Sequence, residues 1–330
     1  MIMEKPIRIA IINPREADGL ARTVVDGCIS LSRLGTIDFC LSQPFDYSLD
    51  VADKVFGEND FKDYAIGADI IFYINAKRSA DDSTANRLAM WHKTVYVDGG
   101  EVGKNRRYDF TVQKEILFGE NIGFGAPNPE MVAKCKLYFR REKPYSFDII
   151  PLPFGIETRY VSSFDINKKK DIDFVCIFGQ DEYPLMRRFA RERLEAFCAK
   201  NDFSCYTKKT STPQEFYSLL ARSKVGISVG GGGYDTMRFW EILGNNCLLL
   251  TERLDIYEPD SKRLDYKRIW QFNNLFDFDY YLEKIGKILK ENYKEDELKE
   301  EYVKIMQEHS SEARVMEIIN ICREKGVIKS

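Results

Sequence analysis

The sequence predicts an α/β protein built from two doubly wound domains, and three observations support this prediction. The chain has 330 residues, which is long for one compact domain and suits two. Apolar runs typical of strands buried on both faces alternate with helix-like segments in both halves. Prolines, a glycine and a run of lysines between about 153 and 170 indicate a connection. We therefore expect an N-terminal domain at 1–157 and a C-terminal domain at 158–330.

The N-terminal half contains several strand candidates and two clear helical stretches. Helices are expected at Gly19–Leu34 and at Ser83–Trp91. The strand candidates are Ile7–Asn13, Ile37–Ser42, Ala68–Ile74, Lys93–Asp98, Lys134–Arg140 and Asp148–Pro153. This alternation predicts a parallel sheet with helices on both faces.

The C-terminal half repeats the pattern. The strand candidates are Asp173–Gly179, Asp202–Thr207, Lys224–Gly230 and Cys247–Glu252. Helices are expected from about Leu185 to Phe197, at Pro213–Arg222 and at about Thr236–Leu243. The remainder of the chain is expected to be mostly helical.

Composition excludes several classes of protein. Hydrophobic residues make up 44% and charged residues 31%, which suits a globular chain rather than a disordered one. The net charge of −3 gives no overall attraction to nucleic acid, and no nucleic-acid partner is expected. Without a long apolar run or the features of a signal peptide, the expected location is the cytoplasm. Peripheral contact with the inner face of the membrane stays open.

The eight scattered cysteines form no CxxC motif and are expected to be buried free thiols.

The most informative segment is Val225–Glu252, which has the pattern strand, glycine loop, helix, tight turn, strand. The four glycines Gly230–Gly233 allow close approach of a ligand to the backbone. The helix that follows starts near Asp235, and its free N–H groups suit a phosphate. Arg238 in the first turn adds a charge-assisted contact, and Glu241 lies three residues later, on nearly the same face. A carboxylate at that position can accept two hydrogen bonds from a ribose diol.

The pattern from Arg238 to Leu250 resembles the donor-site helix of GT-B glycosyltransferases, in particular the spore-maturation-protein-like, group 1 family. The segment DFVCIFGQDEYPLMRR at 173–188 is similar to the opening of that family's second domain. The approach to the connection and the segment His309–Arg314 also resemble the family. The resemblance implies two Rossmann-like domains that face each other across a cleft, with a last helix at about Ala313–Lys325 that returns to the first domain. It also implies that Glu241 holds the nucleotide ribose.

The motif and the resemblance together predict a set of donor-binding residues. They are Gly179, Arg187, Arg188, Gly231, Gly232, Gly233, Tyr234, Asp235, Arg238 and Glu241. Simpler explanations stay open: Asp235 as a helix N-cap, and Arg187 and Arg188 as surface residues.

The sequence departs from the family pattern at three positions. Asn246 and Leu248 stand where the family usually has Gly and often has Pro, and Gly233 stands where many relatives carry an acid. Asn tolerates the left-handed conformation, so the turn at Asn246 can survive.

Two acids in the N-terminal half are candidates for the catalytic base. Asp98 ends a predicted strand, where ligands gather in an open parallel sheet, and Glu101 follows two glycines. Turn chemistry in Asp-Gly-Gly is the simpler explanation. The nearby Lys104, Arg106 and Arg107 would meet a phosphorylated acceptor or lipid headgroups, or belong to a solvated loop.

No metal and no cofactor is expected. Only His92 and His309 are present, which disfavours a histidine-based metal site. Asp277 and Asp279 match a bare DxD motif, but they lie at a predicted helix start, where capping explains them.

The function predicted from the sequence is transfer of a sugar from a nucleotide-activated donor, without a metal, to a glycan, lipid-linked or small-molecule acceptor in polysaccharide biosynthesis. A nicotinamide-dependent oxidoreductase is the first alternative, because Gly230-x-Gly232 opens a helix and Glu252 ends the next strand. Its third glycine is missing, since Asp235 occupies that place. A binding protein that keeps the GT-B fold without turnover is the second alternative.

Overall fold

In the computed structural model, the chain forms two compact units. The structure describes residues 5–15, 19–45, 51–75, 82–100, 127–142, 149–161, 169–179, 185–231, 233–254, 256–257 and 261–328. The described residues of Met1–Val102, Asn121–Gly155 and His309–Ser330 form the first unit, and those of Ile156–Glu308 form the second.

The first unit is a parallel sheet with helices. Its strands are β1 (Ile7–Ile12), β2 (Ile37–Leu41), β3 (Ile70–Asn75), β4 (Thr94–Asp98), β5 (Leu137–Arg140) and β6 (Ile149–Pro151). Its helices include α1 (Gly19–Arg33), α2 (Glu58–Gly67), α3 (Asp82–Leu88) and α4 (Pro129–Lys134). The strand order is β2-β1-β3-β4-β5-β6, and every pairing is parallel. The strands β1, β3 and β4 are almost wholly buried, as their continuous apolar sequences predict.

The last helix of the chain, α11 (Ser311–Glu324), belongs to this first unit and packs on α1. Its N-cap Ser310 accepts a hydrogen bond from the Ala313 backbone N–H at 3.2 Å. The α11 hydroxyl of Ser311 donates to Asp26 of α1 at 2.6 Å. The guanidinium of Arg314 donates to the backbone oxygens of Pro153 and Phe154.

The second unit is also a parallel sheet with helices. Its strands are β7 (Ile172–Val175), β8 (Cys205–Tyr206), β9 (Ser223–Ser228), β10 (Leu248–Glu252) and β11 (Ile269–Phe272). Its helices are α5 (Thr158–Val161), α6 (Leu185–Asn201), α7 (Pro213–Arg222), α8 (Met237–Gly244), α9 (Leu275–Glu291) and α10 (Glu295–His309). The strand order is β11-β10-β9-β7-β8.

The expected alternation of strands and helices is confirmed, and three strands of the second unit differ locally from the prediction. Strand β7 ends at Val175, and Cys176–Gly179 leave the sheet as a loop at its carboxyl end. Strand β8 has only two residues and lies at the edge of the sheet. Strand β11 was not expected, since Ile269–Phe272 is only four residues long, which is too short for its apolar pattern to distinguish a strand.

Burial follows the expectation for the cysteines. Seven of the eight thiols are buried and Cys205 is partly exposed, and all are free. Among the helices that the structure describes, none combines the length and the apolar character that crossing a bilayer requires.

Candidate functional site

The strand order of the second unit defines where a ligand site is expected. Beginning from β7, the chain first adds β8 on one side and then β9 on the other, so the order reverses between β7 and β9. In open parallel sheets, ligands bind outside the carboxyl ends of the two strands at such a reversal. The loop Cys176–Gly179 follows β7, and the glycine loop Gly230–Gly233 follows β9.

A pocket of about 320 Å³ opens at this carboxyl edge. Its walls come from the loop after β7, from the segment that leads into α7, from α7 and from α8. The lining residues are Ile177, Phe178, Gly179, Lys209, Thr210, Ser211, Thr212, Pro213, Phe216, Tyr217, Arg238 and Glu241. Three residues predicted from the sequence therefore line one pocket: Gly179, Arg238 and Glu241.

The charged groups of the pocket hold one another in place. The Arg238 Nη1 lies 2.6 Å from Glu241 Oε2, and its Cζ lies 3.7 Å from the centre of the Phe216 ring. The other Glu241 oxygen, Oε1, accepts a hydrogen bond from the Tyr217 hydroxyl at 3.4 Å. Burial, together with the Glu241 carboxylate, raises the pKa of Tyr217 above its ordinary value, so the phenol stays protonated and donates. This arrangement fixes a carboxylate at the wall of the pocket.

The glycine loop is stabilised from the neighbouring strand. The Gly230 N–H donates to Glu252 Oε2, at the end of β10, at 3.2 Å. The Gly231 N–H donates to the Gly233 carbonyl at 3.0 Å. The Glu252 carboxylate therefore holds the glycine loop. The oxidoreductase alternative would instead require this carboxylate to bind a ribose.

The start of α8 differs from the expectation. The N-cap is Thr236, and Asp235 instead accepts a hydrogen bond from the Trp240 indole N–H at 2.8 Å. Asp235 is buried, and its carboxylate holds the indole of Trp240 in α8. The capping explanation for Asp235 is therefore wrong. The Thr236 side chain makes no capping hydrogen bond, and its Oγ1 lies 3.3 Å from Ser228 Oγ. The first N–H groups of α8 are therefore left uncapped by this side chain, as an anion site requires.

The two predicted arginines have different surroundings. The Arg187 Nη2 lies 3.5 Å from the Val229 carbonyl, next to the glycine loop, and its Cζ lies 5.2 Å from the Phe178 ring. A Cβ at Gly231 would lie only 2.7 Å from that Nη2, so the glycine gives the guanidinium its room. The Arg188 guanidinium instead pairs with Glu192 one turn along α6, on a partly exposed face. Arg187 therefore lies beside the glycine loop, whereas Arg188 forms an ion pair within its own helix.

Sequence reasoning missed the segment that leads into α7. The side chain of Thr212 accepts from the Glu215 N–H at 3.2 Å, while the Glu215 carboxylate accepts from the Ser211 N–H at 2.8 Å. Pro213 occupies the first turn. The Thr-Pro-x-Glu pattern after a strand was the available signal, because it marks a helix that begins at the carboxyl edge. Phe216 and Tyr217, one turn later, carried no separate signal.

In the first unit, Asp98 lies in a buried polar cluster at the carboxyl ends of β4 and β5. Its Oδ2 accepts from the Tyr138 hydroxyl at 2.6 Å and lies 3.8 Å from Arg140 Nε, and its Oδ1 accepts from the Gly100 N–H at 2.8 Å. The Gly100 contact is the turn chemistry that Asp-Gly-Gly indicates. A carboxylate has about four lone-pair sites, and the protein's own donors use part of this capacity. A catalytic role for Asp98 stays a prediction.

Several predicted residues lie outside the residues that the structure describes. They are Glu101, Lys104, Arg106, Arg107 and Gly232. Of the predicted donor-binding residues, Gly233 and Tyr234 lie in the loop between β9 and α8, and they do not line the pocket.

The DxD motif serves structural roles. Asn274 is the N-cap of α9, and Asp277 Oδ2 accepts from the Asn273 N–H at 3.1 Å. Asp279 forms an ion pair with Arg193 of α6. Within the described parts of the chain, no cluster of three or more metal-ligating side chains occurs.

Comparison with known proteins bears on the fold. No family model and no curated protein matches the sequence. Among solved structures, an α-glucosyltransferase in complex with UDP and a 13-mer DNA is 12% identical, with a TM-score of 0.54 over 96% of this chain and 99% of that one. A glycosyltransferase from Rickettsia africae is 9% identical, with a TM-score of 0.55 over 98% of this chain and 99% of that one. A complex of an α-glucosyltransferase with UDP-glucose and DNA has a TM-score of 0.51 at 11% identity, over 96% of this chain and 98% of that one.

Two of these three structures contain DNA, so the expectation that this chain has no nucleic-acid partner gains no support from them. At such low identity, the likeness concerns the fold, and it extends over nearly the whole of each chain. Two parallel α/β sheets and these structural relatives together establish that the chain has the GT-B fold.

Proposed function

We propose that the chain is a glycosyltransferase, and that its donor is a nucleotide-activated sugar bound at the carboxyl edge of the second sheet. The observation that carries this proposal is the convergence of Glu241, Arg238 and Tyr217 on one pocket at the strand-order reversal. Structures of the same fold that hold UDP and UDP-glucose support the choice of ligand class. The group 1 family, a glycan, lipid-linked or small-molecule acceptor, and a role in polysaccharide biosynthesis remain parts of the proposal.

Each part of the donor has a chemically suitable partner in this proposal. The nucleoside occupies the pocket, where the fixed Glu241 carboxylate accepts from the ribose hydroxyls. The diphosphate lies at the start of α8, where the Thr236 side chain makes no capping hydrogen bond, with Arg187 beside the glycine loop as a counter-charge. The catalytic base is proposed to be Asp98, in the first unit, or Glu101.

A nucleotide titration tests the donor site. Calorimetric titration of UDP, GDP, ADP and CDP into the unaltered chain should find at least one that binds. The substitution Glu241→Gln keeps the shape but removes the charge, and a hydrogen bond to a charged group contributes about 1.5–3 kcal/mol. We expect the affinity for that nucleotide to fall by about ten- to a hundredfold.

Glu192→Gln is the matched control, because it removes the same charge from a glutamate that also pairs with an arginine, on an exposed face of α6. It should leave nucleotide affinity unchanged. Circular dichroism should find both variants folded. If none of the four nucleotides binds, or if the two variants bind equally well, the donor site is wrong. Binding of NAD or NADP in their place would favour the oxidoreductase.

Turnover is proposed to be independent of a metal ion. The α8 N-terminus and the Arg187 guanidinium supply the positive charge that a leaving diphosphate needs. Release of the nucleotide from its sugar donor should therefore continue in excess EDTA at about its original rate. Loss of release in EDTA that Mn²⁺ restores would contradict this prediction.

A further inference from the structure

An exposed apolar surface lies on two neighbouring helices of the second unit, α6 and α9. Nine large apolar side chains are exposed within the part of the chain that the structure describes. Four of the nine belong to these two helices: Leu185 and Phe189 on α6, 55% and 36% exposed, and Phe276 and Tyr280 on α9, 83% and 55% exposed. Single exposed apolar residues are ordinary, whereas several on adjoining helices indicate an interaction surface. We call these four residues the α6–α9 surface.

Two contacts show that α6 and α9 run side by side in the same direction. Arg193 of α6 forms an ion pair with Asp279 of α9. Four residues further along α6, Phe197 lies beside Gly286 of α9, where an added Cβ would come within 2.8 Å of the Phe197 ring. Residue numbers rise along both helices between the two contacts, so the helices are parallel. The exposed residues in the first turns of both helices are therefore at the same level and adjoin one another.

The exposed stripe of α9 carries aromatic and charged side chains together. With 3.6 residues per turn, positions i, i+4, i+7 and i+11 share one face of a helix. On α9 these positions are Phe276, Tyr280, Glu283 and Lys287, and all four are exposed. The opposite face of α9 packs into the core of the second unit. The stripe is thus a helix face that no other part of its own unit covers.

The charges of the two helices restrict the kind of partner. Helix α9 carries four carboxylates and three lysines, so it has no excess of positive charge. Helix α6 adds arginines, but Arg187 lies at the glycine loop, and Arg188 and Arg193 are paired with acids of these same two helices. An anionic lipid surface or a nucleic acid is bound through an excess of cations, so the stripe of α9 favours neither. A matching partner has to supply an apolar surface and charges of both signs.

A second copy of the chain supplies both when two α9 helices pack antiparallel about a two-fold axis. In such a pair, residue i of one copy faces residue j of the other, and j faces i. With the axis at the middle of the stripe, Phe276 faces Lys287 of the second copy, and Tyr280 faces Glu283 of the second copy. A lysine ammonium over an aromatic ring is favourable, and a phenol donates to a carboxylate. On this register no two like charges of α9 stand directly opposite each other, so the stripe is complementary to itself.

We propose that the α6–α9 surface is an interface between two copies of this chain, with the two α9 helices antiparallel at its centre. The proposal is independent of the proposed function, because no residue of this surface lines the donor pocket. An interface of two helices from each copy is small, so the dimer should be reversible, with a dissociation constant of about 1–100 µM.

Sedimentation equilibrium of the unaltered chain, from about 1 to 300 µM, tests the proposal. The average mass should rise from that of one chain toward that of two. Phe276→Ser and Tyr280→Ser each replace an exposed ring with a small polar side chain, and each should raise the dissociation constant by about tenfold or more. Leu34→Ser is the matched control, because Leu34 is an apolar residue that is 72% exposed and follows α1 in the first unit. It should leave association unchanged, and circular dichroism should find all three surface variants folded.

A charge reversal tests the antiparallel register. Lys287→Glu would set a carboxylate against the negative face of the Phe276 ring of the second copy, twice in each dimer. It should raise the dissociation constant by about fivefold or more. Lys287→Arg keeps a cation at the same place and should change the dissociation constant by no more than about twofold. Equal effects of the two substitutions would show that this register is wrong.

The proposal would be overturned if the chain had the mass of one copy at every concentration. It would equally be overturned if Phe276→Ser dimerised as tightly as Leu34→Ser. Co-sedimentation with vesicles of phosphatidylglycerol and phosphatidylcholine tests the other occupant. Binding of a monomeric chain to these vesicles that Phe276→Ser abolishes would identify a lipid surface as the partner and would contradict the dimer.

Discussion

At the scale of single residues, Arg238 shows how the pocket keeps a charged pair ready for a ligand. Its guanidinium lies between the face of Phe216 and the carboxylate of Glu241, so it has little freedom to move. Glu241 is only 9% exposed, and Tyr217 holds its second oxygen. A carboxylate that is fixed before binding loses little conformational entropy when a ribose arrives.

Gly179 allows a test that separates binding from folding. A Cβ placed there would have no atom within 4 Å, although the residue lines the pocket. Gly179→Ala should therefore leave the free energy of unfolding within about 0.5 kcal/mol of the original. The new methyl group would enter space proposed for the nucleoside, so nucleotide affinity should fall by about tenfold or more. Urea unfolding and calorimetry measure the two effects, and unchanged affinity would show that the nucleoside lies elsewhere.

Asn246 shows a departure from the family pattern that the structure explains. Its φ of +56° lies in the left-handed region, which a side chain other than glycine adopts at some cost. The buried side-chain amide of Asn246 also makes a hydrogen bond, in which its Oδ1 accepts from Arg268 Nη1 at 2.8 Å. Glycine would satisfy the backbone alone, whereas asparagine also fixes Arg268. The expectation that the turn survives with Asn246 is confirmed.

At the scale of elements, helices α1 and α11 of the first unit pack at close range. A Cβ at Gly27 of α1 would lie 2.2 Å from the carbonyl oxygen of Ser311, which is backbone and has no rotamer to relieve the clash. The hydrogen bond from Ser311 to Asp26 fixes the same crossing. Only glycine lets these two helices meet at that distance.

Gly27→Ala should therefore destabilise the chain by about 1–3 kcal/mol, even though alanine is the better helix former. Gly286→Ala in α9 is the matched control, because its Cβ would meet the far ends of Phe197 and Phe203, which can move. We expect a smaller loss there, within about 1 kcal/mol. Denaturant unfolding of both variants measures the difference. Equal losses would contradict the backbone contact.

At the scale of the whole molecule, buried thiols make stability depend on alkaline pH. Burial raises the pKa of Cys40, Cys135 and Cys322 from 9.0 to about 12. Above pH 9 the unfolded chain releases these protons while the folded chain keeps them. The free energy of unfolding should therefore fall between pH 9 and about 12, by about 1.4 kcal/mol per pH unit for each thiol.

Burial lowers the pKa of Lys93 and Lys170, and these two groups act in the opposite direction below their ordinary value of 10.5. A single variant isolates the thiol effect. Cys322→Val removes one thiol and keeps an apolar side chain, so its unfolding free energy should decline less steeply, by about 1.4 kcal/mol per pH unit. Urea titrations at several pH values between about 8 and 11 measure both slopes. Parallel slopes would show that Cys322 is not protected in the folded chain.

The sequence by itself determined most of the strands and helices of the two units, though not β11, since apolar runs and capping residues act locally. It also identified the loop from Gly230 to Gly233 and the neighbouring Arg238 and Glu241, because these lie within one strand–loop–helix segment. Which residues lie beside that loop was decided by the tertiary structure, because it depends on the order of the strands in the sheet. Only because β7 lies next to β9 do Gly179 and Arg187 come close to residues about 50 positions later.

Side chains from separate segments depended on tertiary structure for the same reason. The hydrogen bond from Tyr217 to Glu241 and the one from Trp240 to Asp235 leave no recognisable pattern in the sequence. For this reason the capping role considered for Asp235 was wrong: its carboxylate binds the Trp240 indole instead. A cavity of about 420 Å³ is lined both by Trp270, on the strand that was not expected, and by Tyr293, which follows α9. Local sequence determines backbone preference and burial. Which distant side chains contact one another is determined only by the order in which the strands pair in the sheet.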